Sequence, residues 1–279
     1  MAVILDGKKL SERILGEVAA EIRRRKLKPS LAAVLVGNDP ASELYVSNKK
    51  LACEKVGINP LIYKLPSNTA EKKLLKILNE LNNDDGIDGI IVQLPLPKQI
   101  NENKVFMGIN PEKDVDGFHP INLGRLLIGD ESLPPATPSG VITLLERNKI
   151  AIEGKNAVIV GRSNIVGKPL SLMLLNRNST VTICHSKTKN LKEYCKMADL
   201  LIVAVGKPKF ITEDFVKGGA IVIDVGTNFT NGKIVGDVDF ERVKKKVKAI
   251  TPTPGGVGPM TVAMLMRNTL SVCINKLVR

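Results

Sequence analysis

Apolar positions along the first part of the chain follow two alternating periods. The runs LAAVLVG (31–37), PLIYKLP (60–66) and GIIVQLP (89–95) read as strands, and the segments near 8–25, 41–57 and 69–83 repeat apolar residues at helical spacing. Gly57 reads as the stop of the second helix. The turn-rich PEKDVDGFHPINLG (111–124) and the proline-rich LPPATPSG (133–140) interrupt this rhythm. A second series then opens with the helix GVITLLERN (140–148) and continues through the strands NAVIVG, STVTICH, DLLIVAV and AIVIDVG. KPLSLMLLNRN and LKEYCKMA supply crossover helices between them, so the pattern predicts a doubly wound α/β sheet. MTVAMLMRNTLSVCINKLV (260–278) predicts one long closing amphipathic helix.

Composition narrows the class. The 279 residues, 43% of them hydrophobic, can bury the core of one large or two ordinary domains. No run approaches the roughly 18 uninterrupted apolar residues that span a bilayer, so a soluble, cytoplasmic protein is expected, without a membrane partner. Cys53, Cys184, Cys195 and Cys273 lie far apart, and His119 and His185 are the two histidines. That spacing argues against a zinc site and a disulfide framework, and predicts small buried thiols in a reducing compartment. The net charge of +13 suits nucleic acid, a membrane surface or anionic small molecules. Aromatics at 3%, with no Trp, supply a base-stacking platform poorly, so no nucleic-acid partner is expected.

Two glycine loops carry candidate chemistry. In VIVGRSNIVGKPL (158–170) an apolar strand runs into Gly161, and Gly167 opens a helix. The loop departs from G-x-G-x-x-G, and two readings stand: a tight strand-to-helix turn, or backbone N–H groups brought to a phosphate with Arg162 beside them. About twenty residues on, CHSKTK places Ser186 and Lys187 where an NAD pocket offers an acid to the ribose. A hydroxyl and cations suit a 2′-phosphate, which points to NADP; the alternative is a solvated turn. TPTPGGVGPMT (251–261) also joins a strand to a helix and is open to phosphate or organic substrate. KDVDG (113–117) imitates the start of a calcium loop, but Arg125 stands where the bidentate Glu belongs, so no metal is expected. An Asx-type turn and a substrate-anchoring carboxylate remain as readings of its aspartates.

SELYVSNKKLACEKVG (42–57) raises a question of helical phase. Tyr45, Lys49, Ala52 and Val56 fall on one stripe, while Glu43, Ser47, Lys50 and Glu54 fall on the opposite one. Lys49 therefore shares a packing face on which a cation needs a reason: snorkelling to water, or chemistry with Tyr45 one turn away. Gln93, ending GIIVQLP, is a candidate polar neighbour.

Y-x-x-x-K, VQLPLP, KDVDGFHP, GRSNIVGKP and PGGVGPMT occur in that order over nearly the whole chain. With them the sequence resembles the bifunctional methylenetetrahydrofolate dehydrogenase/cyclohydrolase family. The resemblance implies an N-terminal α/β catalytic domain (1–118, completed by helix 258–279) and a Rossmann-like NADP-binding domain (119–257), with a cleft between them and a homodimer formed through the latter. It implies oxidation of 5,10-methylenetetrahydrofolate with NADP, then hydrolysis to 10-formyltetrahydrofolate. Lys49 is then the catalytic lysine, Tyr45 stacks near the pterin, Gln93 tunes the lysine, and Asp116 anchors the pterin ring. Val92 and Leu94 flank Gln93 at the folate, which Pro254, Gly255, Gly256, Val257, Gly258, Pro259, Met260, Thr261 and Val262 border. Gly161, Arg162 and Ser163 meet cofactor phosphates, Ser186 supports the 2′-phosphate, and Thr227 lies near the nicotinamide. Ala136 stands where many relatives carry Cys, a thiol the family mechanism does not use as a nucleophile. Thr227 replaces a frequent branched apolar residue, which bears on cofactor preference. Two rivals remain: an NADP-dependent dehydrogenase of another small metabolite, and a basic nucleic-acid-binding protein.

Overall fold

The computed structural model describes residues 2–230 and 232–278. Its first elements are β1 (Val3–Ile4), α1 (Gly7–Arg25), β2 (Ser30–Val36), α2 (Pro40–Val56), β3 (Asn59–Leu65), α3 (Glu71–Asn82), β4 (Gly89–Val92), α4 (Glu102–Gly108) and α5 (Pro120–Leu127). There follow α6 (Ala136–Arg147), β5 (Asn156–Val160), α7 (Gly167–Leu175), β6 (Thr180–Cys184), α8 (Leu191–Met197), β7 (Leu200–Val203) and β8 (Ile221–Asp224). The chain closes with β9 (Asn228–Thr230), β10 (Lys233–Val235), α9 (Phe240–Val243), β11 (Ala249–Ile250) and α10 (Val257–Val278). Two compact units result: Glu12–Ala136 with the chain from Val262 onward, and the chain up to Ser11 with Thr137–Thr261.

The unit containing Glu12–Ala136 is built on a parallel three-stranded sheet in the order β3-β2-β4. Every residue of β2 is buried, as a central parallel strand covered on both faces requires. Ala32, Val34, Ile90 and Val92 pack with Leu74, Leu78 and Leu81 of α3, whose apolar residues recur every three to four positions. Helix α2 starts where the Asp39 side chain accepts from Ser42 N at 2.8 Å, with Pro40 in the first turn. It stops at Gly57, which is left-handed (φ 90°) and donates to Cys53 O.

Three helices lie where the pattern gave none: α4, α5 and the four-residue α9. The stretch 111–124, read as turns, contains the start of α5: Pro120 takes the first helical position and His119 Nδ1 accepts from Ile121 N at 3.1 Å. Eight residues are too few for a periodic signal, and histidine is an unusual cap. Likewise α4 is capped by Asn101, which accepts from Asn103 N and Lys104 N.

In the other unit all six strands of the sheet run parallel, in the order β1-β11-β8-β7-β5-β6. β6 lies on one side of β5 and β7 on the other, so the strand order reverses at β5. That topological switch point is where doubly wound sheets bind ligands, outside the carboxyl ends of the strands.

The expected boundary at residues 118 and 119 moves. Residues 119–136 pack with the unit of Glu12–Ala136, because Asp114 accepts from His119 N at 2.7 Å and Asn268 Nδ2 donates to Pro134 O. Residues up to Ser11 join the six-stranded sheet because Val3 and Ile4 pair with Ala249 and Ile250. The closing helix also differs from the amphipathic expectation. Ala263, Met264, Leu265 and Met266 are all fully buried, so α10 is apolar all round at its middle. Its length and composition would cross a membrane, yet 56% of its apolar window, including Ala263, Met264, Leu265 and Met266, is buried in protein. The four cysteines are buried and free, and burial pushes the Cys53 and Cys195 thiols up to about 12.

Candidate active site

In the unit containing Glu12–Ala136 the helical phase of α2 decides which lysine faces inward. Tyr45 and Lys49 are half-buried and Ala52 and Val56 buried, whereas Glu43, Ser47, Lys50 and Glu54 are exposed. Lys50 pairs with Glu54 at the surface. Lys49 Nζ instead donates to Gln93 Oε1 at 3.0 Å. The glutamine is fixed in turn: its N–H donates to Val34 O at 2.8 Å and its Nε2 to Leu94 O at 2.7 Å. With both ends of the amide committed, Oε1 is aimed at the lysine and the ammonium is held in one place.

KDVDG resolves into two carboxylates with different tasks. Asp114, 1% exposed, accepts from Gly117 N, His119 N and Asn122 Nδ2 at 3.1, 2.7 and 2.9 Å. It is the Asx-type turn. Asp116, two residues on and half-buried, receives no hydrogen bond on its carboxylate among the described residues. Burial raises its pKa, the Lys49 charge opposes that rise, and Asp114 adds to it. Gly117 has φ +75°, and a Cβ there would lie 2.6 Å from Pro135 N, so the turn presenting Asp116 accepts only glycine. The result is an unsatisfied acceptor within electrostatic reach of a positioned ammonium, suited to an N–H-rich heterocycle. Among the described residues no cluster of potential metal ligands occurs.

The residues of the second glycine loop, and Val92 and Leu94 beside Gln93, divide by burial. Gly256, Val257 and Met260 are buried, as is Val92, while Leu94, Gly255, Pro259, Thr261 and Val262 are half-buried and Pro254 and Gly258 exposed. A Cβ on Gly256 would lie 2.4 Å from Pro252 O, and one on Gly140 would lie 3.0 Å from Met260 Cβ.

In the other unit the first glycine loop lies at the switch point. Gly161 (φ +136°) follows β5, and a Cβ on it would meet Ala204 O, after β7, at 2.2 Å. A Cβ on Gly167 would meet Gly161 O, also at 2.2 Å. Both glycines keep a backbone cradle open that any side chain would fill. The first-turn amides of α7 are satisfied internally: Ser163 Oγ accepts from Val166 N and Gly167 N, and Ser163 O from Lys168 N. Anion-binding capacity thus shifts from the helix end to the exposed turn carrying Arg162 and Ser163. Ser186 and Lys187 are exposed in a turn held by Thr188 Oγ1, which accepts from His185 N at 2.9 Å. No carboxylate stands at that strand end, so the residues fit a 2′-phosphate. Thr227 is exposed just beyond β8.

Two family models match the chain: tetrahydrofolate dehydrogenase/cyclohydrolase, catalytic domain, over residues 5–116, and the NAD(P)-binding domain of the same family over 135–277. The chain is 57% identical over 272 residues to a bifunctional protein FolD of Lachnoclostridium phytofermentans, covering 96% of each. The crystal structure of the bifunctional FolD dehydrogenase/cyclohydrolase of Campylobacter jejuni superposes with a TM-score of 0.96 at 50% identity, over 99% of this chain and 100% of that one. A Trypanosoma brucei dehydrogenase-cyclohydrolase complexed with NADP and inhibitor gives 0.95 at 35% identity, over 100% and 99%.

Proposed function

The chain belongs to the tetrahydrofolate dehydrogenase/cyclohydrolase family, and from that membership we infer that it oxidises 5,10-methylenetetrahydrofolate with NADP and hydrolyses the product to 10-formyltetrahydrofolate. Folate chemistry is assigned to the unit of Glu12–Ala136 and the chain from Val262, and the dinucleotide to the unit of Thr137–Thr261. The observation that carries the residue assignment is the Lys49–Gln93 hydrogen bond beside an unsatisfied Asp116.

NADP, when bound, supplies the acceptor for the hydride that leaves the bridging methylene of the folate. Gly161, Arg162 and Ser163 hold its phosphates and Ser186 its 2′-phosphate. Asp116 accepts from the pterin ring N–H groups and fixes the ring's register, while Tyr45 stacks beside it. Loss of hydride leaves a methenyl cation. Water then attacks that carbon and gives up both of its protons as its oxygen becomes the formyl carbonyl; the carbon–N5 bond breaks, its electron pair stays on N5, N5 takes one of those protons and the other is released. Lys49 is the group placed to handle those protons, its ammonium oriented by Gln93 Oε1. Leu94 and Val262, both half-buried, are the further folate residues of the same unit as Lys49.

A cytoplasmic homodimer fits the surface chemistry. Free buried thiols suit a reducing compartment. The edge strand β6 exposes Ile183, and the flanking helices expose Leu175, Tyr194 and Met197, an apolar group that a second copy would cover. The net charge of +13 favours encounter with anionic folates and NADP. The testing experiment mixes protein, NADP and 5,10-methylenetetrahydrofolate and follows NADPH absorbance, then decay of the methenyl absorbance. NADPH formation followed by methenyl decay supports the reading; no NADPH, or methenyl decay no faster than in buffer, overturns the corresponding half.

A further inference from the structure

A wholly buried carboxylate in the dinucleotide unit has no part in either reaction as assigned so far. Asp237 is 0% exposed and receives four donors. Its Oδ2 accepts from Val205 N at 2.6 Å and Gly206 N at 2.9 Å, and its Oδ1 from Lys207 N at 2.8 Å and Asn228 Nδ2 at 2.9 Å. Three successive backbone N–H groups around one carboxylate form the kind of nest that proteins use to hold an anion. Here the anion is the chain's own side chain, so this loop is spoken for before any ligand arrives.

The two segments that Asp237 ties together are informative. Residues 205–207 follow β7, and Asn228 lies just past β8, the neighbour of β7 in the sheet. Gly226 presses on the same carboxylate, since a Cβ there would come within 2.2 Å of Asp237 Cγ. Both neighbours of the exposed Thr227 are therefore fixed by Asp237, one by contact and one by a hydrogen bond. A second buried carboxylate fastens the segment that carries Asp237: Asp224, the last residue of β8, accepts from Gly226 N, Asp237 N and Val238 N at 2.9, 3.0 and 3.0 Å.

Position in the sheet says which part of the cofactor is affected. The 2′-phosphate end is met at the carboxyl end of β6, through Ser186, on one side of the switch point. The dinucleotide must extend across β5 to the other side, where β7 and β8 end. The loops that Asp237 fastens thus face the hydride-accepting end.

We propose that Asp237 is a positioning residue for hydride transfer, holding the loops after β7 and β8, and with them Thr227, against the nicotinamide end of the cofactor. The proposal rests on the cofactor reading of this unit. Oxygen-to-amide replacement in Asp237→Asn sets an NH2 group against N–H donors on one side of the nest, while leaving Lys49, Gln93, Asp116 and Ser186 untouched.

Because the chain carries two activities, the test contains its own control. In Asp237→Asn the dehydrogenase kcat falls by roughly tenfold or more, as expected for buried donors left unmatched. Cyclohydrolase turnover on supplied methenyltetrahydrofolate, which uses no nicotinamide, stays within about twofold, and the Kd for NADP by calorimetry within about threefold, because the phosphate contacts of Arg162, Ser163 and Ser186 are untouched. If Asp237→Asn does not fold, Asn228→Ala, which removes one donor of the four, decides the matter with a smaller dehydrogenase-only loss. Equal loss of both activities, or no loss in either, would overturn the proposal. Failure of the unmodified protein to bind NADP would instead remove the cofactor reading on which it rests.

Discussion

Replacing Asp116 with Asn sets two consequences of one carboxylate against each other. In the free protein the side chain is half-buried, with no donor on its oxygens, and burial raises its pKa. A carboxyl whose folded pKa lies above its unfolded value favours the protonated fold. Its penalty therefore appears as pH climbs past about 4 and is complete above the folded value. At neutral pH the wild-type protein bears that penalty; Asn keeps the shape and removes the charge. The variant is expected to melt at or above the wild-type temperature. Bound pterin reverses the balance, because a hydrogen bond to a charged acceptor is worth about 1.5–3 kcal/mol. Its weakening lowers kcat/KM for 5,10-methylenetetrahydrofolate about 10- to 150-fold. Steady-state kinetics with saturating NADP and a thermal melt on the same preparation read both quantities. A variant that melts lower yet keeps full kcat/KM would make Asp116 a structural carboxylate like Asp114 and remove it from the folate site.

Two further outcomes follow from the dinucleotide unit. Arg162→Ala raises the Michaelis constants for NADP and NAD alike by about tenfold or more, through loss of a charge-assisted contact to phosphates that both cofactors carry; no rise with either cofactor would take Arg162 out of phosphate recognition. Asp224, pushed up to about 6 mainly by burial, makes the fold lose stability as pH rises from about 4 to 6, by about 3 kcal/mol. Urea titrations of the wild type and Asp224→Asn across that window should converge or diverge with this slope, and parallel curves would show that the group does not titrate there.

Local periodicity carried much of this architecture, and the phase of α2 is the clearest case. Tyr45, Lys49, Ala52 and Val56 share a covered face because their spacing leaves no other choice, and Gln93 ends a strand whose carboxyl end faces the same side. Tertiary pairing was not legible. Nothing in MAVIL announces that Val3 will add to a parallel sheet beside Ala249, since parallel partners need not be near in sequence. The two aspartates of KDVDG are equivalent in composition, and only the backbone amides that fold around Asp114 show which one is spent on the turn. Burial likewise separated Met260 and Val257 from their exposed neighbours in PGGVGPMT. Asp237 escaped notice for a related reason: its nest is assembled from amides about thirty positions away, and GDVD alone resembles any acidic turn.

The central claim is that Lys49, oriented by Gln93, carries the hydrolytic step, and Lys49→Met tests it most directly. The variant keeps an unbranched side chain, one atom shorter, on the same face of α2 while removing the ammonium. Measured on one preparation, NADP affinity should be unchanged, and methenyl hydrolysis should fall far more than methylene oxidation, so that the methenyl intermediate accumulates. Methenyl hydrolysis at the wild-type rate in Lys49→Met would contradict the account.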